Sequence, residues 1–171
     1  MVKSANLGYP RIGKFRELKK ALESFWKGKS DEQSLQQTAK EIRKENWQTQ
    51  KQAGIDLIPS NDFSFYDQVL DHSAFFGLVP PRYNFSGGNV DLETYFAMAR
   101  GRQTDGQDVV AMEMTKWFDT NYHYIVPEFY SDNKPQLSST KIFDEYQEAK
   151  NLGIETRPVL IGPISFLLLG K

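Results

Sequence analysis

Lys3, Arg11, Lys14, Arg16, Lys19 and Lys20 share the first twenty residues with a single acid, Glu17, so this stretch carries +5. The whole chain carries −1, which leaves −6 for the remainder. That is a local positive field, not the general basicity of a nucleic-acid binder. Gly8, Pro10 and Gly13 shape a loop, and from Lys14 the apolar residues Phe15, Leu18, Leu22, Phe25 and Trp26 recur at helical steps. On such a helix Arg16 and Lys19 share a face, as do Arg16 and Lys20. Cations at a helix N-terminus oppose its dipole, while the unpaired N–H groups there favour an anion. An anionic ligand would compensate; the plainer alternative is a solvated basic face with Glu17 as local partner. Arg grips a carboxylate or phosphate bidentately, and Lys supplies a mobile point charge.

A second polar and aromatic concentration is EMTKWFDTNYHYIVPE at Glu113–Glu128, flanking a predicted strand. Side chains at the ends of parallel strands often line ligand sites. Lys116 suits an anion, and Asn121 both donates and accepts hydrogen bonds. Trp117, Tyr122 and Tyr124 suit either stacking or a core. His72 and His123 are the only histidines and there is no cysteine, which is a poor donor set for a metal. No GxGxxG, GxxxxGK[ST] or GxSxG pattern occurs. Asp67 and Asp71, four apart, read as a solvated helix face. Acid–base work by Asp62, Asp67 or His123 is the reading for an enzyme complete in itself.

The elements that must position these residues alternate between strand and helix. Asn6–Tyr9 reads as a short first strand or an extended entry. After the first helix, Gly28 is a stop, and Ser30–Gln33 reads as a capping box with Ser30 at the N-cap. The second helix puts Leu35, Ala39, Ile42 and Asn46/Trp47 on one side and ends at Gly54. Ile55–Pro59 suits a buried parallel strand. Helices follow at 65–72 and Asp91–Arg100, with irregular chain over Val79–Asn89 and a polar loop over Gly101–Gln107. Val109–Met112 and Tyr122–Val126 read as strands, Lys141–Leu152 as a helix, Thr156–Gly162 as a strand, and Ile164–Leu169 as an apolar element.

Alternation with buried strands indicates a parallel α/β fold. The chain has 171 residues, 39% of them hydrophobic, enough for one core. Four or five strand–helix units are too few for a complete eightfold barrel, which needs at least ~200 residues. The pattern leaves both a partial barrel and an open flavodoxin-like sheet, complete in this length, as alternatives. MVKSANLGYP lacks the apolar stretch of a signal peptide, and no apolar run reaches membrane-spanning length, so the expected location is the cytoplasm.

Five motifs carry a resemblance across nearly the whole chain. They are LGYPRIG…RELKK at Leu7–Lys20, Wx₃KQAGID at Trp47–Asp56, NDFSFYDQVLD at Asn61–Asp71, EMTKWFDTNYHY at Glu113–Tyr124 and RPVLIGP at Arg157–Pro163. Together they resemble the N-terminal part of the cobalamin-independent methionine synthases, with a fungal-like source expected. The resemblance implies a two-domain parent, each domain a (β/α)₈ TIM-type barrel, and this chain as about the first half of the N-terminal barrel. It implies methyl transfer from 5-methyltetrahydropteroyltri-L-glutamate to L-homocysteine, giving L-methionine. The implied zinc, homocysteine site and general acid belong to a C-terminal domain that residues 1–171 do not contain. The folate-tail contacts it implies fall on Arg16, Glu17, Leu18, Lys19, Lys116 and Asn121, with no catalytic residue or metal ligand in this chain. The expected partners are the folate and the rest of the parent polypeptide, itself a monomer. Nucleic acid and membrane are not expected. The fragment alone is expected to be inactive, and the alternative is a non-catalytic anion-binding or interaction module on a half-barrel.

Overall fold

The computed structural model describes residues 2–103 and 108–171. They fall into two compact units: Met1–Phe65 with Lys141–Leu160, and Tyr66–Thr140 with Ile161–Lys171. Each unit is built from separated segments, which is why no linker stands out in the sequence.

In the first unit, α1 (Glu17–Trp26) packs against α2 (Glu32–Gln52). Helix α1 starts three residues after the Lys14 expected from periodicity. Phe15, assigned to its buried face, lies in the preceding loop and is 72% exposed. Leu18 and Leu22 form the buried stripe of α1, and Leu35, Ala39, Ile42 and Trp47 that of α2. The N-cap of α2 is Asp31, not Ser30: the Asp31 carboxylate accepts the Ser34 amide at 2.9 Å. An Asp at that position satisfies an otherwise orphaned N–H, so the N-cap is shifted by one residue.

Strand β1 (Ile58–Ser60) pairs in parallel with β4 (Thr156–Pro158), and Ala5 bridges Leu57, also in parallel. The expected first strand at Asn6–Tyr9 is therefore a single bridge at Ala5, because the chain turns away once Asn6 bonds Gln50 and Tyr9 bonds Asp62. The order across the ladder is Ala5, β1, β4, with α1 and α2 in the first crossover. Helix α5 (Lys141–Asn151) contacts both β1 and β4. Strand β4 stops at Pro158, short of the expected Gly162. The core beneath β1 is Trp47, Ile58, Ala149 and Ile154.

The second unit contains α3 (Gln68–Phe75), a 3₁₀ turn at Pro81–Tyr83 and α4 (Leu92–Arg100). It also contains β2 (Met114–Lys116), β3 (His123–Ile125) and α6 (Pro163–Leu168). Helix α3 begins after Asp67, later than the expected 65, because Asp67 caps it. The expected strand at Val109–Met112 reduces to one bridge, Val109 to Arg102. Residues 104–107 of the expected Gly101–Gln107 loop lie outside the described residues. The Tyr122–Val126 run forms β3, but it pairs antiparallel with β2 instead of joining a parallel ladder. The six residues between β2 and β3 form a turn closed by the Trp117 amide on the Tyr122 carbonyl at 2.7 Å, and that local closure dictates a hairpin. Val69, Leu78, Tyr124, Val126 and Phe166 form this unit's core.

Trp47 is 2% exposed, and its indole N–H donates to the Pro59 carbonyl at 3.0 Å. Trp47→Phe leaves that carbonyl unpaired and opens a cavity. It should lower the unfolding free energy by about 2–3 kcal/mol, seen as a lower urea midpoint at unchanged slope.

Candidate functional site

The loop from Asn6 to Arg16 follows the carboxyl edge of the parallel ladder, where ligands gather in α/β folds. Short-range polar bonds hold it there. Asp62 accepts the Tyr9 amide at 2.8 Å, and Arg11 donates to the Ser64 carbonyl at 2.6 Å. Asn46 donates to the Pro10 carbonyl at 3.3 Å, and Lys14 pairs with Glu45 at 2.9 Å. Burial holds the Asp62 carboxyl above the usual range, opposed by the Tyr9 N–H and by the charges of Lys141 and Arg43.

Arg16 is the N-cap of α1 and not a helical residue. Its φ is 65°, in the left-handed region, and its side chain makes no capping bond. A residue with a Cβ is disfavoured there by roughly 1 kcal/mol. Lys19 lies in the first turn, half exposed, 3.6 Å from Glu23. The Glu17 carboxylate accepts the Phe15 amide at 2.9 Å, and a Cβ at Gly13, whose φ is 81°, would collide with it. Leu18 is buried against α2's side of the unit, and its amide donates to the Ile12 carbonyl at 3.2 Å. Of the four, Arg16 and Lys19 present exposed cations; Glu17 and Leu18 shape the turn that carries them.

Lys116 and Asn121 lie in the second unit, both exposed, on β2 and in the hairpin turn. Lys116 pairs across the ladder with His123, whose Nδ1 is 3.0 Å from the Asn121 carbonyl. Phe118 in the same turn has φ 53° and is 74% exposed. Tyr122 is also exposed, whereas Tyr124 is core and Trp117 packs edge-on against it at 5.8 Å. Among the described residues, four non-glycine residues have left-handed backbones: Arg16, Asn61, Asn84 and Phe118. Asn tolerates that conformation; Arg and Phe do so only under constraint. Those two constrained residues fall in the two segments of the expected folate contacts, Arg16–Lys19 and 116–121.

The reading of Asp67 and Asp71 as a solvated face is overturned. Asp67 is 1% exposed and accepts the amides of Val69, Leu70 and Ile125 at 2.7, 3.0 and 3.1 Å. Asp71 accepts the Tyr95 hydroxyl at 2.6 Å. The spacing places both on one side of α3, but that side faces its neighbours instead of water. Burial pushes Asp67 up to about 7, helped by the Asp71 charge and opposed by the three N–H donors.

A buried network escaped the sequence reading. Asn61 donates its amide to Glu145 at 3.0 Å and its side chain to the Val159 carbonyl at 2.8 Å, and it accepts Lys141 at 2.9 Å. Lys141 also pairs with Glu145 at 3.1 Å, and Arg43 pairs with Glu148 at 2.7 Å. The four-residue spacing of Lys141 and Glu145 on a predicted helix was a usable signal; the partners some 80 and 100 residues away were not.

The family profile described as "Cobalamin-independent synthase, N-terminal domain" matches residues 3–171. The chain belongs to that family. Relatives named 5-methyltetrahydropteroyltriglutamate–homocysteine methyltransferase match from Flavobacterium johnsoniae (62% identical, 99% of this chain) and Salinibacter ruber (59%, all of it). A protein of Schizosaccharomyces pombe, named a probable member of the same enzyme class, is 55% identical over the whole chain. The similarity spans bacteria and a fungus, so a fungal-like source is not singled out. The chain spans under a quarter of each of these relatives, 22–23%.

The zinc that the family resemblance implies does not fit the donors here. Among the described residues no three His, Cys, Asp or Glu gather as a metal site. His72 donates Nδ1–H to the Gln68 carbonyl at 2.8 Å and accepts the Ile161 amide on Nε2 at 3.0 Å, so both ring nitrogens are engaged. Among the described residues no helix is long and apolar enough to cross a membrane.

Two outcomes follow from this geometry. Arg16→Gly relieves the left-handed strain and should raise stability by about 0.5–1 kcal/mol, measured by denaturant unfolding, while removing an exposed cation. The Asp67 carboxyl lies above its unfolded value near ~3.9, so the folded state binds its proton more tightly. Its contribution is full below pH ~4 and is lost as pH rises through about 7. Wild type should therefore lose stability relative to Asp67→Asn over that window in paired unfolding titrations.

Proposed function

We propose that this chain is the folate-tail-holding part of a 5-methyltetrahydropteroyltri-L-glutamate–homocysteine methyltransferase. In this reading the complete enzyme moves the N5 methyl group of the folate to the homocysteine sulfur, yielding methionine. Residues 1–171 contribute substrate contacts and scaffold. The zinc-activated thiolate and the proton donor belong to the C-terminal domain of the same polypeptide, a cytoplasmic monomer.

The observation that carries the reading is Arg16: a charged, non-capping residue in a strained backbone at a helix start, with Lys19 one turn on. Strain of this kind is held by the surrounding fold and clusters at ligand clamps and active sites. A triglutamate tail is a string of carboxylates. Arg16 can take one bidentately, and the exposed N-terminal turn and Lys19 favour another. Lys116 and Asn121, in the turn that also holds Phe118, are the second set of contacts. Glu17 and Leu18 act through the shape of the first loop.

The partial (β/α)₈ barrel is the matching proposal for the fold. Its support is the parallel order Ala5, β1, β4 with helices in the crossovers. Helix α6 adds to it by exposing Ile164, Leu167 and Leu168 on the side opposite buried Phe166. A helix apolar all round belongs inside a larger protein.

Titration with 5-methyltetrahydropteroyl mono- and triglutamate tests the tail reading. The triglutamate should bind at least about tenfold more tightly, and Lys19→Ala should remove about fivefold of that advantage (~1 kcal/mol). Raising the salt concentration should narrow the gap further. Equal affinity for both folates, unchanged in Lys19→Ala, sinks the reading.

A further inference from the structure

Asp67 spends two carboxylate oxygens on two different jobs. Oδ1 accepts the Val69 and Leu70 amides, the usual work of a helix N-cap. Oδ2 accepts the Ile125 amide of β3, and Ile125 is itself 1% exposed. Capping α3 needs only the first oxygen, since Asn or Ser caps a helix as well as Asp does. Burying a carboxylate is costly, so the second acceptor must do something a neutral cap would not.

What it does is set the hairpin. Ile125 pairs with Met114, and two residues along the same ladder His123 pairs with Lys116. The Val126 amide on the Glu113 carbonyl at 2.8 Å and the Trp117 amide on the Tyr122 carbonyl at 2.7 Å complete the register. Among the described residues no third strand extends this two-stranded sheet. A two-stranded hairpin is marginal by itself, so its placement depends on anchors such as this one.

We propose that Asp67 is a positioning residue for the β2–β3 hairpin, holding Lys116 and Asn121 where they meet the folate tail. This rests on the tail-binding reading above. Asp67 touches no ligand. It acts through the Ile125 amide, and the strand carries the effect to the turn.

Asp67→Asn in the complete enzyme is the test. The amide oxygen can keep the α3 cap while the NH₂ group faces the Ile125 N–H, so the anchor is lost and the cap is not. KM for the triglutamate substrate should rise about tenfold with kcat within about twofold, and KM for the monoglutamate should move far less. Amide exchange should quicken about tenfold or more across 113–126 and stay unchanged in α3. Asp67→Ser, whose single short hydroxyl caps α3 but does not span to β3, should reproduce both effects. Unchanged triglutamate KM with a loosened hairpin overturns the proposal, as does a uniform loss of kcat with both folates. If neither variant folds, Asp67 is a general structural group and the proposal also falls. Lys116→Ala separates this from the underlying reading. If it too leaves the triglutamate KM unchanged, tail binding by the hairpin has failed; if it raises that KM while Asp67→Asn does not, only the positioning role has.

Discussion

Where a three-residue strand ends, its neighbours' backbone groups must find partners without the ladder. In this chain that constraint falls on the segment from Ser60 to Asp67. Ser60 accepts the Val159 amide, Asn61 exchanges bonds with Glu145, Val159 and Lys141, Asp62 takes Tyr9, and Asp67 takes three amides. Buried polar groups left unpaired would each cost about 1–3 kcal/mol, so the segment stitches within each unit the loops that short strands cannot hold. The features proposed as functional hang from these stitches.

The two segments that hold the expected folate contacts are built alike despite their different elements. Each places exposed cationic or amide side chains beside one non-glycine residue in a left-handed backbone, Arg16 in the first unit and Phe118 in the second. Each is tethered by a buried or half-buried carboxylate reaching a backbone amide, Asp62 to Tyr9 and Asp67 to Ile125. Rigid support under an exposed, strained loop is the arrangement that binding sites require. The acids serve the frame, and the side chains of Arg16, Lys19 and Lys116 stay exposed.

Much of this was legible in residue order. Periodicity located the buried stripes Leu18–Leu22 and Leu35–Trp47, because a helix facing one core must repeat at its own pitch. The charge asymmetry of the first twenty residues is plain in the composition, and five spaced motifs carry the family, which the profile over residues 3–171 bears out. Boundaries were less legible. Phe15 fits the helical repeat yet lies outside the helix, because Gly13 and the Glu17 carboxylate close a turn that periodicity does not encode.

The sequence by itself determined which segments are helical, which are apolar and where positive charge collects, since these follow from local spacing and side-chain chemistry. Only the tertiary structure decided that Asp67 faces inward, that β3 turns back on β2 instead of joining a parallel ladder, and that Asn61, Lys141, Glu145 and Arg43 form one network. Those outcomes depend on partners up to about a hundred residues away, and a carboxylate looks the same in sequence whether it meets water or three amides. The environment, which no single residue carries, assigns its role.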